Sequence, residues 1–313
     1  MMNIKYNKIL VRTAALILSA ALLLCGCGSE IPAETEEDTS VTTTGSFGEW
    51  VISGENDALS AYPVIINDVE IQSSPQRVIC LSSNLTEIVY ELGFGSRLIG
   101  RGSYCDYPED ALSLPDFGRP AYPDLDAIIK ASPDLLLTAT SIPNIDVVKL
   151  ADNGIKVVFI PAPHSVDEFG RIYAALGIIF EGMFDGEDDG NKVFSDIRNK
   201  LSGSGISIGS FIYVTEGGAI AGGDTIESSV LSIFGTNLAK ERNGYCYAAD
   251  VLGDEEPEVV ILNSDVSAET LIEDEKLGSL EAVREGRIIN LSNSYFESPS
   301  GRITGLLDEL SGV

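Results

Sequence analysis

Two short aromatic clusters carry the side chains best suited to grip a ligand. Tyr104-Cys105-Asp106-Tyr107-Pro108 lies just after Gly102, and Tyr245-Cys246-Tyr247 just after Gly244. Aromatic rings on loops offer a large contact area at little entropic cost, which makes these loops candidate ligand contacts. Cys105 and Cys246 are either two free thiols or, if the loops face each other, a pair; Cys80 sits in an apolar run and reads as a small buried hydrophobe. His164 is the only histidine, which rules out a multi-histidine zinc site and leaves a serine triad one base to use. Asp185 to Asp196 has the spacing of a calcium loop, but Glu187 and Lys192 depart from that motif, and an acidic helix start explains the stretch better. The run Gly217-Gly218-Ala219-Ile220-Ala221-Gly222-Gly223 lacks the Lys-Ser/Thr of a phosphate loop. It reads as backbone that lets a ligand approach closely, with Asp224 and Glu227 as a capping box for the helix that follows.

The elements that must position these loops alternate between strand and helix. Arg77 to Leu81 is a buried-strand run, and Asn84 with Glu87 reads as a second capping box. Leu85, Ile88, Val89 and Leu92 line one helical face, Gly93 ends it, and Leu98 to Gly100 opens another strand. The Tyr104 loop leaves the carboxyl end of that strand, where open α/β sheets bind ligands. Leu135 to Thr138 and Ile155 to Ile160 continue the strands, separated by helices at Leu125 to Ile129 and Ile145 to Asn153. Val166 to Ile179 is an amphipathic helix, and Asn191 to Leu201 is the best candidate for a connecting helix. Strands at Ser210 to Thr215, Val259 to Leu262 and Arg287 to Leu291 repeat the grammar. A last helix starts near Ser298-Pro299 and buries Ile303, Leu306, Leu307 and Leu310. Upstream, Tyr62 to Ile71 predicts a hairpin turning at Asn67-Asp68.

The chain of 313 residues is long enough for two cores. Lys5, Lys8 and Arg12, the apolar run Ala14 to Leu24 and the ending Leu24-Cys25-Gly26-Cys27 resemble a bacterial lipoprotein start, with Cys27 the lipidated first residue. Removing those three cations leaves 17 of the 20 basic residues against 48 acidic ones, a net charge of −31. Such a surface repels nucleic acid.

From Tyr62 onward the chain resembles the cobalamin and iron-siderophore group of solute-binding proteins that serve ABC importers. The resemblance rests on R-V-x-x-L-S-x-x-x-T-E at Arg77 to Glu87, G-x-x-x-x-L-I-G at Gly93 to Gly100 and Y-C-D-Y-P at Tyr104 to Pro108. It continues in P-x-L-x-x-I-x-x-x-x-P-D-L-L-L at Pro123 to Leu137 and G-I-K-V-V at Gly154 to Val158. In the second half it is carried by E-P-E-V-V-I at Glu256 to Ile261, G-R-I-I at Gly286 to Ile289 and S-P-S-G-R at Ser298 to Arg302.

The resemblance implies two α/β lobes, each with a mainly parallel sheet, joined by a connecting α-helix with the ligand cleft between them. The expected organisation is a signal peptide at 1–26, an acidic flexible tether at 27–61, an N-terminal lobe at 62–180, a connecting helix at 181–205 and a C-terminal lobe at 206–313. It implies ligand contacts from Tyr104, Tyr122, Phe159, Tyr245 and Arg302, with His164 a conceivable axial ligand to a bound chelate. Asp126 and Asp250 stand where the family uses glutamates to dock on the permease; each also suits a helix start. The Y-C-D-Y-P loop resembles the cobalamin branch, so the transported ligand is expected to be a cobalt corrinoid, with a ferric siderophore or haem as the alternative. Four Arg residues, Arg101, Arg119, Arg242 and Arg302, would favour an anionic siderophore if they converged in the cleft. The implied partners are an ABC permease dimer with its cytoplasmic ATPase, a bulky metal chelate and, through the lipid, the membrane. The protein is expected to act as a monomer on the extracytoplasmic face of the cell membrane, with no cofactor, resident metal or catalytic residue. A surface hydrolase using a serine with His164 is the remote alternative.

Overall fold

The computed structural model describes residues 41–47, 50–56 and 61–311, within one contact unit, Ser40–Val313. Cys27 and the expected signal peptide lie outside the described residues. An antiparallel sheet opens the body in chain order: β1 (Val41–Phe47), β2 (Trp50–Asn56), β3 (Val64–Ile66) and β4 (Val69–Ile71). Asn67 and Asp68 turn between β3 and β4 with φ of 47° and 63°, the left-handed pair that a two-residue hairpin needs and that Asn and Asp tolerate. The pairing of β1 with β2 corrects the expectation of a flexible tether for 41–56. The Thr- and Val-rich composition there, read as polar filler, has strand propensity and finds the edge of β3 to pair with.

The first lobe is built on a fully parallel sheet of order β10-β9-β5-β6. Its elements are β5 (Val78–Cys80), α1 (Ser83–Glu91), β6 (Leu98–Arg101), a ribbon of β7 (Gly118–Arg119) and β8 (Tyr122–Pro123), α2 (Leu125–Ala131), β9 (Leu135–Thr138), α3 (Asn144–Asp152) and β10 (Lys156–Phe159). Both faces of the sheet are covered, which is why its strands read as continuous apolar runs. Asp124 caps α2 as its position predicts, accepting from the Ala127 amide at 3.0 Å. The predicted box at Asn84 does not form: Ser82 is the N-cap of α1 and makes no side-chain cap bond. Glu87 is thereby released from any capping role.

Two helices join the lobes. α4 (Val166–Glu181) is capped by Ser165 and almost wholly buried; α5 (Gly186–Ser202) packs along it. α4 touches α1 of the first lobe and, through it, the core runs on into the second lobe. The connecting helix expected within 181–205 is therefore α5, while the element that packs against both lobes is α4. The calcium-like segment is the first turns of α5. Its Gly186 and Gly190 bring the two helices together: a Cβ at Gly190 would lie 2.3 Å from the Tyr173 carbonyl oxygen.

The second sheet has the order β14-β12-β11-β15-β16, with β13 also on β11. It comprises β11 (Gly209–Val214), β12 (Ile220–Ala221), α6 (Ile226–Leu231), β13 (Gly235–Asn237), β14 (Tyr245–Cys246), α7 (Ala248–Val251), β15 (Val259–Asn263), α8 (Ala268–Glu273), α9 (Glu281–Arg284) and β16 (Ile288–Leu291). β13, β11, β15 and β16 are parallel, while β12 and β14 add antiparallel pairs. The chain closes with α10 (Ser294–Glu297), a tight turn at Gly301–Gly305 and α11 (Leu306–Leu310). The last helix thus starts later than Pro299 suggests. Ile303, Leu306 and Leu310 are buried as predicted, but Ser300 is the cap and the first turns are tightened. Among the described residues, no helix is long and apolar enough to cross a membrane.

Candidate functional site

The carboxyl ends of both sheets turn toward the lobe junction. α1 leaves β5 and meets the segment after α10, where Glu87 binds Ser300 and Arg302 and Glu91 accepts from the Gly301 amide at 2.8 Å. At the other flank the Val166 amide, at the start of α4, donates to Ser229 of α6 at 3.0 Å. Loops leaving the strands in both lobes therefore border one cleft.

The first-lobe rim is wired by the β5–α1 turn. Ser83 donates to the Tyr104 carbonyl at 2.7 Å, and the Ala139 amide, after β9, donates to Ser82 at 2.7 Å. Gly102 lets the Tyr104 loop lie against the end of β5, since a Cβ there would sit 2.2 Å from the Leu81 carbonyl oxygen. Tyr104 is 57% exposed and carries the Arg119 guanidinium 5.4 Å from its ring centre. The β7–β8 ribbon pairs Arg119 with Tyr122, so that highly exposed ring belongs to the same patch. Phe159 ends edge strand β10, partly exposed, with Asn67 donating to its carbonyl. On the second lobe Tyr245 is 56% exposed and donates its hydroxyl to Glu227 at 3.0 Å. Burial and the Glu227 carboxylate push the Tyr245 phenol well up.

Arg302 has another occupation. Its Nε and Nη2 fork onto Glu87, and its guanidinium covers the ring of Tyr107 at 4.6 Å. Burial raises the Glu87 carboxyl while Arg302 and Ser300 pull it down. A groove of about 950 Å³ runs beside this bridge between α1, α5 and the 294–305 segment. Of the predicted ligand residues it includes Arg302 alone; Tyr107, Tyr90 and Tyr295 line it instead. Tyr107 was in plain view in the Y-C-D-Y-P loop. The loop thus places Tyr104 on one surface and Tyr107 on another.

The remaining predicted residues divide. Asp126, in the first turn of α2, is exposed and bonded to Lys149 at 2.8 Å, which holds its carboxyl below the usual range. Asp250 lies in the first turn of α7, exposed, with its carbonyl accepting from Arg242. His164 faces solvent, 3.4 Å from Glu168. Cys105 is buried beside Thr86 and the Cys80 carbonyl, whereas Cys246 reaches the Asn243 carbonyl, so the two do not pair. Burial drives the Cys80 thiol up to about 12, as befits a packed hydrophobe. One G-x-S-x-G spacing occurs, Gly205 to Gly209, but it leads into β11 instead of leaving a strand for a helix, and is no nucleophile elbow. Among the described residues no group of three or more metal-ligating side chains gathers.

The second predicted capping box also fails. Thr225 caps α6, Asp224 accepts from the Gly244 amide, and Glu227 turns inward to Tyr245. The Gly222-Gly223 pair admits its own chain, since a Cβ at Gly223 would lie 2.0 Å from the Lys240 carbonyl oxygen.

Two lobes with facing strand ends, spanned by a buried helix and rimmed with exposed aromatics, define a class III solute-binding fold. Residues 78–207 match the periplasmic binding protein family. An uncharacterized ABC transporter substrate-binding lipoprotein of Bacillus subtilis is 23% identical over 95% of this chain and 94% of its own. A vitamin B12-binding protein of Vibrio campbellii is 37% identical over 78 residues, 25% of this chain and 28% of that protein. The solved structure of a possible iron-binding (periplasmic solute-binding) protein from Staphylococcus epidermidis superposes with a TM-score of 0.66 at 21% identity, over 77% of this chain and 98% of that one.

Proposed function

We propose that the protein is the extracytoplasmic solute-binding lipoprotein of an ABC importer, which captures a corrinoid between its lobes and delivers it to a permease. It is a carrier and performs no catalysis. The substrate-binding role is supported by the facing strand ends and by the likeness to the Bacillus subtilis protein over nearly the whole chain. Attachment through Cys27, and docking through Asp126 and Asp250, belong to the same reading.

The observation that carries the choice of ligand is what the arginines do. Arg302 is spent on Glu87, Arg101 on Asp116 and the Gly102 carbonyl, and Arg242 on the Asp250 carbonyl. They do not converge on the cleft as recognition of an anionic siderophore requires. Exposed rings with little free positive charge suit a large disc of neutral rim, and the partial match to a vitamin B12-binding protein points the same way. Arg119 over Tyr104 is the observation that favours the second reading, a ferric siderophore or haem on the same scaffold. Equilibrium dialysis of the lipid-free body against cyanocobalamin and cobinamide tests the proposal. Retention of one corrinoid per chain supports it, and no retention of either overturns it.

A further inference from the structure

Of Arg101, Arg119, Arg242 and Arg302, three are bonded within the protein. Arg119 is the exception. Its guanidinium lies over the Tyr104 ring and has no hydrogen-bond or ion-pair partner among the described residues. The two carboxylates nearest it in sequence are already taken. Asp116 accepts from the Ser103 hydroxyl at 3.0 Å and the Gly118 amide at 2.8 Å, and faces Arg101 at 3.9 Å. Asp124 caps α2. Arg119 therefore stands exposed, permanently charged and unspent.

The backbone holds it there. The Ser103 amide donates to the Gly118 carbonyl at 2.9 Å, which ties the base of the β7–β8 ribbon to the Tyr104 loop. Gly118 turns with a φ of 93°, and the Asp124 amide closes the ribbon on the Phe117 carbonyl at 2.8 Å. Pro120 stiffens the tip. Arg119 and Tyr122 sit opposite each other on this ribbon, so the cation stands between two exposed rings, Tyr104 and Tyr122. It is open to solvent on the same surface that offers those rings to a ligand. The chain carries a net charge of −28, so most of its surface repels anions. A polyanion would need several free cations; one guanidinium matches one anionic group. Its planar fork fits phosphate or carboxylate oxygens, and packing on Tyr104 shields one of its faces from water.

We propose that Arg119 is a specificity-determining anion subsite, which holds one phosphate or carboxylate group at the edge of a ligand whose flat face packs on Tyr104. This rests on the corrinoid reading and deepens it. The group is then the single phosphodiester of the nucleotide arm, which cobalamin carries and cobinamide lacks. On haem the same subsite would take a propionate.

The test titrates wild type, Arg119→Gln and Arg119→Lys calorimetrically with cyanocobalamin, cobinamide and haem, comparing each ligand with itself across the variants. Arg119→Gln should weaken cyanocobalamin about ten-fold or more while leaving cobinamide within about three-fold of wild type. Arg119→Lys, which keeps the charge and loses the fork, should fall between the two. Corrinoid binding by wild type, with both corrinoids weakened alike in Arg119→Gln or neither weakened, overturns the subsite and leaves the corrinoid reading standing. Haem bound by wild type with no corrinoid bound overturns the corrinoid reading. A ten-fold loss of haem affinity in Arg119→Gln would then keep the subsite, with a carboxylate as its anion; unchanged haem affinity would overturn the subsite as well. Failure of wild type to bind all three overturns both.

Discussion

Glu87 of α1 receives the forked guanidinium of Arg302, 215 positions later in the chain, across the junction of the two lobes. The carboxylate side chain is 0% exposed and the arginine side chain 27%. Removing one member of a buried pair strands the other charge, at a cost of roughly 3–5 kcal/mol. Arg302→Ala should therefore lower the stability seen in urea unfolding by that order. The double variant Glu87→Ala/Arg302→Ala should cost clearly less than the sum of the single changes. Additive losses would mean that the two residues act independently.

Glu91, one turn further along α1, gives a pH signature. Burial pushes its carboxyl above the usual range, opposed by the Tyr173 hydroxyl and the Gly301 amide. A carboxyl with a raised folded pKa supports the fold most fully below its unfolded value, and that support is lost as pH climbs through the folded value. Glu91→Gln imitates the protonated form. Its melting temperature relative to wild type should rise from about pH 5 to about pH 8. A constant or falling difference would show that the charged form is the favoured one.

The elements were largely legible because each covered strand is a short apolar run and each helix carries one apolar face. What misled was the first turn of two helices. Asn84 with Glu87, and Asp224 with Glu227, have capping-box spacing, yet Ser82 and Thr225 are the N-caps, Glu87 serves Arg302 215 positions on and Glu227 serves Tyr245 18 positions on. Local spacing cannot reveal a partner 215 positions away. For the same reason Arg302, recognisable as a motif residue, could not be seen to be occupied. The aromatic loops were readable since Gly102 and Gly244 mark them, although only the fold separates Tyr104 from Tyr107.

The exposed rings should matter for ligand and little for stability. Tyr104→Ala removes a side chain that is 57% exposed, so its unfolding free energy should change by less than about 1 kcal/mol. Its corrinoid affinity, followed by absorbance titration, should fall about ten-fold or more. A large stability loss with affinity intact would place this ring in the scaffold instead.

Docking through the two aspartates makes a separate prediction. Asp126→Arg combined with Asp250→Arg should leave ligand binding intact and abolish uptake in cells. Lys149→Ala, which frees the Asp126 carboxylate from its 2.8 Å ion pair, should leave uptake intact or faster. Unchanged uptake in the double Arg variant would sink the docking role.

The identity of the captured molecule can be read from parallel calorimetric titrations of the lipid-free body with cobinamide, cyanocobalamin, haem and a ferric siderophore. One corrinoid should bind per chain, with haem and the siderophore at least about ten-fold weaker. Stoichiometric binding of the ferric siderophore or haem, with no heat from either corrinoid, would contradict it.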